Sequence, residues 1–118
     1  MSGAAFPPLP ILLVDDEPAM VAAVEMTLAS EGITNVAGCT DSRRVMELLA
    51  GREFSAVLMD ITMPHVTGSE LLPRIVEEHP GTAVIMLTGV NEVDTAVRCM
   101  KDGAFDYLVK PVDDARLA

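Results

Sequence analysis

Asp15 and Asp16 close an apolar run in "ILLVDDEP" (11–18), and Glu17 and a proline suited to a first helical turn follow at once. Adjacent carboxylates repel one another, and burying them raises their pKa or demands a counter-charge. Asp60 closes a second apolar run in "VLMDITMPHVTG", Thr88 a third in "IMLTG", and Lys110 a fourth in "YLVKP". Singly, each has an ordinary explanation as a turn, cap or strand-end residue. Jointly they make a chemical set. Clustered carboxylates are hard oxygen donors that suit Mg²⁺, which takes few protein ligands and keeps several waters. One of the acids can then act as a nucleophile, because Asp carboxylates form aspartyl-phosphates. A hydroxyl and an ammonium would bind the other phosphoryl oxygens and offset charge in the transition state.

The elements that must position this set are legible as apolar runs: "ILLV" (11–14), "VAGC" (36–39), "AVLM" (56–59), "AVIML" (83–87) and "YLV" (107–109). Most are continuous rather than alternating, as strands buried on both faces of a parallel sheet are. Helical segments are predicted between them. Pro18 to Glu31 carries Val21, Val24, Met26 and Leu28 at roughly helical spacing and stops at Gly32; Ser42 to Ala50 is closed by Gly51, and Asn91 to Asp102 by Gly103. Thr67 to His79 has Pro73 inside it, which predicts a helix that is kinked or starts late. The repeated β-α pattern predicts an α/β fold with an open, doubly wound parallel sheet, in which ligands bind outside the carboxyl ends of the strands. Those are the ends that carry the acids, the hydroxyl and the lysine.

The chain has 118 residues, half of them apolar, which allows one domain with one real core. Eight Lys and Arg against eighteen Asp and Glu leave a net charge of −10. Nucleic acid and anionic lipid are read through basic residues, so direct binding of either is not expected. Cys39 and Cys99 lack paired spacing and read as reduced core thiols. The opening "MSGAAFPPLP" has neither a basic start nor a long apolar stretch, so residues 1–9 read as a flexible tail rather than a secretion signal, and no run reaches membrane-spanning length. A cytoplasmic location is expected.

"LVDDEP", "DITMPHVTG", "LTG" and "GAFDYLVKP" together resemble, in order and spacing, the receiver domains of two-component response regulators, including chemotaxis regulators. The resemblance covers residues 10–118. It implies a flavodoxin-like five-stranded sheet of order 2-1-3-4-5, which makes strands one and three neighbours. It also implies that Asp60 accepts a phosphoryl group from a sensor histidine kinase or a phosphotransfer protein. Asp16 would ligate Mg²⁺ directly, Asp15 through a metal-bound water, and Thr62 through its backbone carbonyl. Lys110 would pair with Asp60 and then with the phosphoryl group, to which Thr88 would move, and Tyr107 matches the aromatic switch position. The Lys110-Pro111 bond would be cis. In the family's pattern the residues that set the phosphoryl lifetime are Thr62 and Val90, and since neither is an acid or amide able to orient water, a long-lived phosphoryl form is expected.

Two other readings compete. An Mg²⁺-dependent phosphohydrolase of the haloacid dehalogenase type wants a second Asp where Thr62 stands, and a pseudo-receiver binding module lacks one of the residues that are all present here. The chain is therefore read as a signalling domain rather than an enzyme. His65 and His79 read as surface residues, Met59 and Met63 as packing residues, and Glu17 as an acidic helix start. The family closes with a full fifth helix, whereas only "VDDARLA" follows Pro111. A truncated last helix and an output domain in a longer protein are thus expected. The uncovered surface would favour a homodimer.

Overall fold

The computed structural model describes residues 7–110. Five parallel strands, β1 (Ile11–Val14), β2 (Val36–Cys39), β3 (Ala56–Asp60), β4 (Ala83–Thr88) and β5 (Asp106–Val109), form one sheet of order β2-β1-β3-β4-β5. Four helices connect them: α1 (Pro18–Ser30), α2 (Val45–Gly51), α3 (Gly68–Glu78) and α4 (Val93–Lys101). The expected fold and strand order are therefore present.

The continuous apolar runs follow from burial on both sheet faces. Leu12 and Val14 point to one face and join Val45 and Leu49 of α2, Leu72 and Ile75 of α3 and Cys99 of α4. Ile11 and Leu13 point to the other and pack with Val24 and Leu28 of α1. Successive side chains of a strand alternate between faces, so both must be apolar when helices cover both. Cys39 and Cys99 are buried free thiols, as expected.

Several segments differ from the sequence reading. Met26 is 73% exposed. Val24 and Leu28 lie one turn apart on the buried side, and at 100° per residue Met26 stands nearly opposite both. The helices expected from Ser42 and Asn91 each begin with a 3₁₀ turn, Ser42–Arg44 and Val90–Glu92. Pro73 sits inside α3 without ending it, and the start of that helix is fixed by a capping box in which the Thr67 hydroxyl accepts from the Glu70 amide and the Glu70 carboxylate from the Thr67 amide. Of the expected tail, Pro7 and Pro8 are tied by their carbonyls to the Asn35 amide and Leu9 to the Ser55 hydroxyl. The last helix and the Lys110-Pro111 bond lie outside the described residues.

Candidate functional site

β1 and β3 are paired with Val14 opposite Met59, so the next residues, Asp15 and Asp60, emerge side by side at the carboxyl edge. Asp15 and Asp60 are buried while Asp16 is exposed, and one oxygen from each lies within 4.8 Å of the others. Octahedral Mg²⁺ with ligands at about 2.1 Å sets oxygens about 3 to 4 Å apart. The trio is close to that spacing, and its hard donors fit the ion.

β5 delivers Lys110 to the same place. Its amide donates to the Thr88 carbonyl at 2.8 Å, extending the β4–β5 ladder to the edge, and its ammonium lies 3.2 Å from Asp60 Oδ1 and 3.3 Å from Asp15 Oδ2. Burial works against this ammonium, yet the charges of Asp60 and Asp15 outweigh it and hold Lys110 above the ordinary lysine value. Asp60 is pushed up to about 6, first by burial and then by the charges of Asp15 and Glu92, with Lys110 opposing. A carboxylate that is costly to ionise in place gains from any cation brought to it.

Thr88 is fully buried, and its hydroxyl donates to the Gly89 carbonyl at 3.0 Å. Tyr107 is half-buried opposite Met86, and Val109 stands opposite Thr88, so Tyr107 and Thr88 are diagonal neighbours on one sheet face. The exposed Thr62 lies in the loop after β3, two residues beyond Asp60.

That loop is short of room. Gly68 donates its amide to Ile61, and a Cβ on it would strike the backbone carbonyl of Asp60. Ser42, buried, donates to the Pro64 carbonyl at 2.8 Å and accepts from the Val66 amide at 3.3 Å. His65 takes a left-handed backbone with φ of 71°. A cleft of about 280 Å³ opens beside Asp16, lined by Asp41, Ser42, Arg43 and His65. There the Arg43 guanidinium grips Asp41 with bonds of 3.0 Å and holds its carboxyl down at about 2. A larger cavity, about 450 Å³, is lined by Leu49, Phe54 and Thr82 at the opposite, amino end of the strands.

The sequence reading missed two contributors. Ser42 read only as the first residue of a helix. Glu92 read only as part of the helix expected from Asn91, whereas it lies in the short turn before α4. Its Oε1 accepts from the Gly89 amide at 3.0 Å and its Oε2 from the Thr62 hydroxyl. Val90, by contrast, is 74% exposed. An acid does reach the loop beside Asp60, from a position the sequence did not flag.

A family model described as the response regulator receiver domain matches residues 11–118. The response regulator protein PilR of Pseudomonas aeruginosa is 39% identical over 106 residues, which is 90% of this chain and 24% of PilR. The DNA-binding transcriptional regulator NtrC of Escherichia coli is 38% identical over 106 residues, 87% of this chain and 22% of NtrC. The chain thus spans less than a quarter of the length of either relative. A response regulator receiver domain protein from Clostridium thermocellum has a crystal structure that superposes with a TM-score of 0.85 at 32% identity, covering 92% of this chain and 87% of that one.

Proposed function

Since the chain belongs to the response regulator receiver domain family, we propose that Asp60 is its phosphoacceptor and that the acids and lysine around it serve that one transfer. The observation that carries this is the Lys110 ammonium bridging Asp60 and Asp15, both buried, at the strand edge. An Asp60 oxygen attacks the phosphorus of a phosphohistidine. The new P–O bond forms as the P–N bond breaks, and the imidazole leaves and takes up a proton. Asp15, Asp16, Asp60 and the Thr62 carbonyl would hold Mg²⁺, which supplies counter-charge for an anion approaching three carboxylates. Lys110 stays within reach of Asp60 and takes a phosphoryl oxygen once it arrives. Thr88 leaves the Gly89 carbonyl for another phosphoryl oxygen, and Tyr107 follows into the space released, a shift in a pre-existing equilibrium.

A sensor histidine kinase or phosphotransfer protein is the donor in this reading. The domain over residues 10–118 controls an output in a longer, cytoplasmic protein, as the lengths of PilR and NtrC suggest. The domain catalyses its own phosphorylation and slow dephosphorylation and no other reaction. Intact mass after incubation with acetyl phosphate tests this. One phosphoryl group in Mg²⁺, none in chelator and none on Asp60→Asn are expected. Labelling of Asp60→Asn at the wild-type rate would sink the proposal.

A further inference from the structure

Glu92 ties together the two loops that flank Asp60. One carboxylate oxygen accepts from the Gly89 amide and the other from the Thr62 hydroxyl, across thirty positions of sequence. The Glu92 amide also donates to the Gly89 carbonyl at 3.0 Å, the same carbonyl that receives the Thr88 hydroxyl. Gly89 is therefore held through both of its peptide groups, and Thr88 is bonded to one of them. The Thr62 hydroxyl, and after it the Gly89 amide, favour the charged form of Glu92 by hydrogen bonding to it. That charge is close enough to act on both Asp60 and Lys110.

We propose that Glu92 is a positioning residue that restrains phosphoryl capture: it braces Gly89 against Thr62, which holds Thr88 in its resting bond, and sets a fixed negative charge beside the acceptor. The inference rests on Asp60 being the phosphoacceptor. Two consequences follow from one side chain. An incoming phosphodonor meets a carboxylate beyond the three that a divalent cation would screen. Once the phosphoryl group is on Asp60, its added negative charge repels Glu92 and weakens the brace, so Gly89 and with it Thr88 are freed when the hydroxyl is wanted. The charge that arrives loosens the contact that resisted its arrival.

The test is the labelling rate with acetyl phosphate in Mg²⁺, at low and high salt, for wild type, E92Q, T62V and D94N. Gln keeps the shape of Glu92 without its charge, its oxygen still accepting from the Gly89 amide and its NH2 donating to the Thr62 oxygen instead of accepting from it; Val keeps the shape of Thr62 without its hydroxyl, and D94N removes an exposed charge from the following turn. E92Q should label about fivefold faster at low salt, the scale of one unit charge at a wet surface, with the gain shrinking as salt rises. T62V should also gain, but by an amount that salt leaves unchanged, and D94N should match wild type. Equal rates in wild type and E92Q, or an equal gain in D94N, would overturn the proposal. A gain in E92Q with none in T62V would overturn the brace. No labelling of wild type would instead overturn the phosphoacceptor reading, and the brace with it.

Discussion

Lys110 reaches Asp60 from the end of a strand two places away in the sheet, and its ammonium stands 3.2 Å from Asp60 Oδ1. The same nitrogen is 3.3 Å from Asp15 Oδ2. One cation thus serves two buried acids, and both belong to the group of three that could hold a divalent ion. A divalent ion held by these acids would therefore partly substitute for the lysine in holding the folded state together, although their chemical tasks would differ.

Lys110→Ala should therefore destabilise the protein by about 2 kcal/mol in chelator, between the values for exposed and fully buried pairs. Millimolar Mg²⁺ should recover more stability in this variant than in wild type. Thermal melts of both proteins with and without the ion would show it. An equal metal-induced shift in the two would argue against shared acids.

The raised Asp60 value makes a statement about pH. A carboxyl moved from 3.8 to about 6 by folding favours its protonated form in the folded state. The penalty for ionising it is absent below the unfolded value and complete above the folded one. Between about pH 4 and 6, metal-free protein should lose up to about 3 kcal/mol from this group as pH rises. Asp60→Asn removes the loss, so it should be the more stable protein at pH 7 in chelator and lose that advantage near pH 4. Urea midpoints of the pair across this range decide the matter, and parallel curves would contradict it.

Gly68→Ala should be far worse than an ordinary change at a helix start. Its Cβ strikes the Asp60 carbonyl, a backbone atom that cannot rotate away. A cost of about 3 kcal/mol is expected from overpacking of this kind. Labelling by acetyl phosphate should fall even where the variant remains folded, because relief of the clash moves Asp60. A well-folded Gly68→Ala labelling at the wild-type rate would show that the contact is dispensable.

Thr88 and Tyr107 should report on one another. Their diagonal placement on adjacent strands predicts that beryllofluoride binding in Mg²⁺ changes the environment of Tyr107, the lone tyrosine. Thr88→Ala should lose that response while retaining slow labelling. NMR of the tyrosine ring is the direct measurement, and an unchanged ring signal on binding would rule the coupling out.

The elements that hold the site were the easiest to see in the sequence. Ile11 through Val14 are all buried, odd residues against one helix layer and even residues against the other, and that double burial is what makes an apolar run conspicuous. Asp15, Asp60, Thr88 and Lys110 were legible because each ends such a run. Their meeting was not, since spacing alone leaves strand order open, and the order came from resemblance. Met26 was misjudged because a near-helical spacing of apolar residues does not say which of them face inward. Glu92 and Ser42 were invisible for a different reason. Their roles depend on bonds to Thr62 and Pro64, and on tight turns whose geometry no periodicity encodes.

The backbone bonds at the sheet edge bear on how this site fails. The Ile61 amide donates to Leu87 and the Lys110 amide to Thr88, so the acceptor, hydroxyl and ammonium strands are laced together at their last rungs. None of the three can drift without breaking the lacing of its neighbour. Hydrogen exchange at Ile61 and Lys110 should consequently be slow and should track one shared opening event, whereas the Gly89 amide, held by a side chain alone, exchanges through smaller local fluctuations. Heat or denaturant would then abolish the chemistry in one step, after the turn that carries Glu92 has already begun to fray.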